Sequence, residues 1–134
     1  MVLVDTTVWI DLLREQRTPA TAVLMRLLDM GEAAVTPVIV QEILQGANTA
    51  KAFERLSRRF LAFPRLGETN SISHHAAAAR LYARARWKGI TPRSPHDCLI
   101  AAVAVAGGVP PLRDDRDFDL LATVEPRLVL LPPG

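Results

Sequence analysis

Val2-Leu3-Val4-Asp5-Thr6-Thr7-Val8-Trp9-Ile10-Asp11 opens the chain with a short apolar, β-branched run that stops at an acid. Val2 to Val4 reads as a buried strand. Immediately beyond it, Val8, Trp9, Leu12 and Leu13 fall at helical spacing and can share one face. Thr18-Pro19 is a helix start, with Thr18 as N-cap and Pro19 in the first helical position, and Gly31 is its C-terminal stop. Ala33 to Thr36 is a second candidate strand, and Thr36-Pro37 repeats the Thr-Pro start for a helix carrying Glu42. Thr49 can cap a further helix reaching Phe60. Phe63 to Leu66 is a third, poorly defined strand.

From Ile72 to Trp87 the chain is rich in alanine and arginine, a good helix closed by Gly89. Ser94-Pro95 opens a helix from Asp97 to Ala106 that ends at Gly107-Gly108. Val109 to Leu112 and Leu128 to Leu131 are the last strand candidates, around a short helix near Asp117 to Ala122. Alternating strands and helices predict an α/β domain with a mostly parallel sheet covered on both faces. The chain shows no repeat, linker or low-complexity segment, so residues 1–134 read as a single domain.

At 134 residues the chain is long enough to bury roughly two-thirds of its unfolded surface without a disulfide or zinc staple. About half of the residues are apolar, which argues against disorder. No uninterrupted apolar run approaches the roughly 18–20 residues that span a bilayer. The first residues carry no basic leader, so a secretory signal is not expected. The single cysteine, Cys98, fits a reducing compartment, and the expected localisation is cytoplasmic, with no membrane partner. Net charge is +2, and apart from Lys51 and Lys88 every basic side chain is arginine. Arginine's planar fork suits phosphate, although a GC-rich genome also enriches it. The composition permits a nucleic-acid partner without demonstrating one.

In open parallel sheets, ligands sit outside the carboxyl ends of the strands. Asp5 ends the first strand, and Asp115 lies just past the fourth. Glu42 and Asp97 sit early in helices that begin at the same edge. Each has an ordinary explanation. Asp5 can N-cap the first helix, but Thr6 and Thr7 are equally able caps. Glu42, taken singly, is a solvated helix residue. Asp97, third in its helix if Ser94 is the cap, can reach back to the cap's backbone N–H and meet the positive end of the dipole, which would hold it ionised. Arg113-Asp114-Asp115-Arg116-Asp117-Phe118-Asp119 resembles a solvated charge run, yet it follows a predicted strand at the edge where a site belongs. Within it Asp115 and Asp117 are the better candidates, and Asp119 is placed on the outer face of the short helix. Mg²⁺ and Mn²⁺ prefer hard oxygen ligands, and carboxylates brought together repel one another unless a cation neutralises them. One or two such ions can activate water and stabilise a leaving phosphodiester oxygen. His74, His75, His96 and Cys98 do not have zinc spacing.

These residues are similar to the motifs of a known family. Val4-Asp5-Thr6-Thr7-Val8-Trp9-Ile10-Asp11 resembles the opening of PIN-domain ribonucleases, most closely the VapC-type toxins of bacterial toxin–antitoxin pairs. Glu42 within Gln41-Glu42-Ile43-Leu44-Gln45-Gly46 fits the second acidic motif, and Ser94-Pro95-His96-Asp97-Cys98-Leu99-Ile100-Ala101-Ala102 fits the third. Asp115-Arg116-Asp117-Phe118-Asp119 resembles the last. Each motif alone is weak; four in order are specific. The resemblance implies an α/β/α sandwich with a five-stranded sheet and a Mg²⁺- or Mn²⁺-dependent endoribonuclease acting on RNA, with tRNA or rRNA as possible targets. It also implies a homodimer and a cognate VapB-like antitoxin. Carried over residue by residue, Asp5, Glu42, Asp97 and Asp115 would hold the metal, with Asp117 as an auxiliary acid. Thr6 or Thr7 would hydrogen-bond a ligand water or the phosphate, and Ser94 would orient Asp97. Arg113, Arg84 and Lys88 are candidate RNA contacts, although a solvated face also explains the basic stretch from Arg80 to Lys88. Pro111, out of place in a central strand, leaves open how far the fourth strand extends and where Asp115 lies.

Two other classes fit less well. An aspartyl-phosphate phosphatase needs a second acid two residues after Asp5, where Thr7 stands. A phospho-receiver needs an acceptor at the end of the third strand, and Phe63-Pro64-Arg65-Leu66-Gly67 supplies none.

Overall fold

The Thr-Pro and Ser-Pro pairs start helices where the sequence predicts. In the computed structural model, which describes residues 1–131, Thr18 caps α2 (Pro19–Met30) by accepting from the Thr21 amide at 3.0 Å, and Thr21 Oγ1 accepts from the Thr18 amide at 2.9 Å. This reciprocal box satisfies two of the helix's orphan donors. Gly31 then ends α2 with φ +67, a left-handed conformation that a β-carbon would resist. The remaining helices are α1 (Thr6–Leu13), α3 (Pro37–Leu44), α4 (Ala50–Phe60), α5 (Ser71–Trp87), α6 (Pro95–Gly107) and α7 (Arg116–Ala122). Thr49 caps α4 through the Ala52 amide at 3.0 Å.

Strand β1 (Val2–Val4) is central and fully buried, flanked in parallel by β2 (Ala33–Ala34) and β3 (Pro111–Leu112). Val2 pairs with Ala33, Leu3 with both Ala34 and Pro111, and Val4 with Leu112. A strand whose every side chain is buried needs cover on both faces, and the helices supply it. Among the described residues the sheet therefore has three strands rather than the expected five. The segments expected as third and fifth strands lie at the sheet's two outer edges in parallel, but each makes a single bridge, Arg65 to Val35 and Leu131 to Leu112.

Proline explains both reductions. In an extended chain a residue's N–H and C=O point to the same edge. The Pro64 carbonyl accepts from the Val35 amide at 2.9 Å, and the Pro111 carbonyl accepts from the Leu131 amide at 3.0 Å. Neither proline has the N–H that would continue the ladder on that edge. Pro111 is nonetheless accommodated beside β1, because its neighbours carry the pairing on that side: the Pro110 carbonyl accepts from Leu3 at 3.1 Å and the Leu112 carbonyl from Asp5 at 2.9 Å. The position of Asp115 beyond β3 is thereby settled.

The core runs through β1, the inner face of α2 and nearly all of α6, where Cys98 and Ile100 to Ala104 are buried. The alanines let α6 pack closely on α5 through Ala78, Leu81 and Ala85. Trp9 is 1% exposed and meets Phe60 and Phe63 at ring-centroid distances of 5.0 Å each, which fastens α1 against the end of α4. Trp9→Ala is expected to cost about 3–5 kcal/mol in urea unfolding, because the cavity lies between elements that cannot collapse independently. Trp87, in contrast, is 78% exposed and belongs to no core.

Candidate active site

Because β1, β2 and β3 are parallel, their carboxyl ends share one edge; Asp5 follows β1 directly, Arg113 follows β3, and Thr36 comes after β2 with only Val35 between. Asp5 follows β1 and occupies the N-cap position of α1, yet its side chain makes no capping hydrogen bond. It is 2% exposed, and its Oδ2 is buried without a partner. A buried carboxylate oxygen left unpaired is costly unless something outside the protein completes it.

The other acids arrive on different elements. Glu42 sits in the second turn of α3, where the Thr6 hydroxyl donates to its Oε1 at 2.8 Å and His96 Nδ1 lies 3.4 Å from its Oε2. Asp97 sits in the first turn of α6. Ser94 caps that helix by accepting from the His96 amide at 3.2 Å, so its hydroxyl shapes the turn carrying Asp97 without touching the carboxylate. Asp115 caps α7 by accepting from the Asp117 amide at 2.9 Å through Oδ1. Asp117 is 3% exposed and receives the Arg93 backbone N–H on Oδ2 at 2.9 Å.

A cleft of about 350 Å³ is lined by Asp5, Thr6, Thr7, Glu42, Arg93, Ser94, Asp97 and Asp115. The four carboxylates singled out in the sequence therefore share one cleft. The tightest grouping is a different set: one oxygen each from Asp97, Asp115 and Asp117 lie within 4.8 Å of one another.

The electrostatics follow from that crowding. Asp5 is pushed up to about 7, chiefly by burial, with the Thr6 backbone amide opposing and Asp115 and Glu42 adding repulsion. Asp97 is also pushed up to about 7, first by burial and then by Asp5, Asp115, Asp117 and Glu42. The expectation that the α6 dipole would hold Asp97 ionised is thus corrected, since burial and neighbouring acids outweigh it. Asp97 does not close a capping box either. The adjacent Cys98 thiol is pushed up to about 12 by burial and then by Asp97 and Asp117, which removes it as a nucleophile.

A family model described as PIN domain matches residues 2–124. Ribonuclease VapC11 of Mycobacterium tuberculosis is 36% identical over 126 residues, covering 92% of this chain and 93% of that protein. VapC ribonuclease Mb1587 of Mycobacterium bovis matches to the same extent. The chain belongs to the PIN-domain family, among the VapC ribonucleases. Solved structures agree on the fold. FitAcB from Neisseria gonorrhoeae superposes with a TM-score of 0.69 at 18% identity over 99% of this chain and 98% of that one. A FitAB complex bound to an IR36 DNA fragment gives 0.72 at 21% identity, over 99% and 95%.

Within this PIN domain, the residues singled out as RNA contacts are placed unevenly. Arg113 is turned inward, donating to the Leu131 carbonyl at 2.7 Å and to Asp119 at 2.8 Å. Arg84 donates to the Val124 carbonyl at 2.6 Å. Lys88 is exposed at the end of α5. Thr6 is turned to Glu42, whereas Thr7 is exposed on the cleft wall. Two PIN-domain residues at the cleft carried no signal in the sequence. His96 lacks the spacing of a zinc ligand, and Arg93 lies in a loop with no periodicity.

Proposed function

We propose that this PIN domain is a divalent-metal-dependent endoribonuclease, a toxin of the VapC type restrained by a cognate antitoxin. The observation that carries this reading is the convergence of acids from β1, α3, α6 and the β3–α7 junction on one cleft, with a buried Asp5 oxygen left unpaired. The donor set is all carboxylate, which suits Mg²⁺ or Mn²⁺ and not zinc. Asp5, Asp97 and Asp115, with Glu42, would hold one or two such ions, and Asp117 would serve as the auxiliary acid. Such an ion supplies activation of water and neutralisation of charge on the phosphodiester.

The chain's own residues do the rest. The Thr6 hydroxyl fixes the Glu42 carboxylate, and the Ser94 cap fixes the turn that presents Asp97. Asp117 anchors the loop before α6 through the Arg93 amide. Thr7, open to the cleft, is placed to donate to a phosphate oxygen or a ligand water. With acids crowded in a half-open cleft, a polyanionic substrate would be repelled until a cation is bound, so substrate entry is coupled to metal.

The remaining proposed partners are an RNA such as tRNA or rRNA, the antitoxin and a second copy of the chain. A groove of about 720 Å³ between α3, α5 and α6, lined by groups such as Val38, Ala78, Tyr82 and Leu99, offers a surface to a protein partner. Among the described residues, no helix is long and apolar enough to cross a membrane; a cytoplasmic location is part of this proposal. The purified chain is expected to cleave RNA internally with Mg²⁺ or Mn²⁺ and to stop in excess EDTA. Cleavage undiminished by EDTA would overturn the metal-dependent reading.

A further inference from the structure

The acids of the cleft are already partly neutralised from within the chain. Among the described residues, Arg93 is the one arginine or lysine in ion-pair contact with a cleft carboxylate. Its Nη2 donates to Asp115 Oδ1 at 2.6 Å, and its Nε lies 3.4 Å from Asp117 Oδ2. These are two of the three carboxylates that approach within 4.8 Å. The guanidinium therefore bridges two of the carboxylates to which a divalent ion would be drawn.

Its attachment has two separable parts. The backbone N–H of Arg93 is pinned to Asp117 Oδ2 at 2.9 Å, and the loop is stiffened by buried Pro92 on one side and Pro95 in the first position of α6 on the other. The side chain itself is 69% exposed. Most of it faces solvent, so it can leave the carboxylates while its main chain stays fixed. Asp115 Oδ1 accepts from both the Arg93 guanidinium and the Asp117 amide, so a divalent ion drawn to Asp115 meets the guanidinium's charge as a competitor and brings more charge to a crowded acid cluster.

We propose that Arg93 is a resident counter-cation of the cleft: it holds Asp115 and Asp117 together in the metal-free protein and competes with the divalent ion for them. On metal binding the guanidinium is released at the cleft mouth, where its planar fork suits a phosphate of the incoming RNA. Arg93 is by this account a positioning residue that makes metal loading and phosphate capture successive uses of one side chain. The proposal rests on the metal-site reading above.

The test is Mn²⁺ affinity of the full chain, measured by electron paramagnetic resonance and by calorimetry at fixed pH and salt. Arg93→Met keeps the stem and the pinned amide while removing the charge. It is expected to bind Mn²⁺ roughly three- to tenfold more tightly than the parent, as loss of one charged contact allows. In EDTA the same variant is expected to melt below the parent, and its Mn²⁺-induced rise in Tm to be larger. Arg93→Lys, which keeps the charge without the fork, should fall between the two. Arg116→Met is the control, removing an exposed charge adjacent to Asp115 that makes no ion pair among the described residues, and is expected to change affinity by less than about twofold. Equal or weaker Mn²⁺ binding in Arg93→Met, or an equal gain in Arg116→Met, would overturn the counter-cation while leaving the metal site standing. Failure of the parent and every variant to bind Mn²⁺ would overturn both.

Discussion

Asp97→Asn and Asp5→Asn are each expected to lower RNA cleavage by roughly 10²- to 10³-fold, the scale on which loss of a preorganised charge at a reacting centre is felt. The two substitutions keep shape and remove one ionisable oxygen. At pH 8 in EDTA the variants are expected to fold more stably than the parent. Asp5 is buried and carries an oxygen without a partner, so its ionised form opposes folding. Asn in its place is expected to add about 1–3 kcal/mol to unfolding stability, less than the full shift because the amide also loses water. Asp97 lies closer to solvent, and its gain is expected to be no more than about 1 kcal/mol. Loss of activity together with gained stability separates a functional acid from a structural one. Urea unfolding and RNA cleavage on the same samples read both, and full activity in the two variants would overturn the site.

Stability of the metal-free protein is expected to fall as pH rises from about 5 to 8. The direction follows from linkage. Asp5 and Asp97 both stand near pH 7 in the folded chain, raised from the ordinary aspartate value of 3.8. Between those values the folded state binds more protons than the unfolded state, so each added pH unit favours unfolding. The contribution is fully present below about pH 4 and is lost as pH passes through about 7. A divalent ion reverses the trend, because it favours the ionised carboxylates that protons otherwise hold neutral. Mn²⁺ at about a hundred times its Kd is expected to add close to 2.7 kcal/mol at pH 8, a rise in Tm of roughly 5–10 °C. At pH 5 the same concentration is expected to add much less. Thermal melts at pH 5, 6.5 and 8, with EDTA or Mn²⁺, check this directly. An EDTA Tm that does not change across the range would show that the acids do not carry the strain assigned to them.

The crowding also bears on how the toxin would be controlled. A cleft that is electrostatically unsatisfied without a cation is an inviting target for any positive group. Arg93 already exploits this from inside the chain, and an antitoxin that presents a basic side chain would do so from outside. Competition for Mn²⁺ in the purified pair would read that directly.

Much of the site was legible in the sequence because short-range rules write it there. An apolar run ending at Asp5, the Thr36-Pro37 start that puts Glu42 in a second turn, and the Ser94-Pro95 start that puts Asp97 in a first turn are each decided within a few residues. The expected sheet was longer than the observed one, although Pro64 and Pro111 stood in the sequence as warnings. Counting apolar runs as strands ignored which edge of each proline must donate. The dipole expectation for Asp97 failed for a related reason. It considered one helix, whereas burial and four other acids act on the same carboxylate.

By itself, the sequence determined the order of elements, the helix starts and the four acids offered to one sheet edge. These depend on capping, periodicity and chain direction, which act over three or four residues. Only the tertiary structure decided which acids meet and what holds them. Thr6 reaches Glu42 across 36 residues, Arg93 reaches Asp115 across 22, and His96 approaches Glu42 across 54. Such distances are set by how β1, α3, α6 and α7 pack. The raised pKa values are likewise products of burial, which no stretch of sequence possesses until the chain has folded around it.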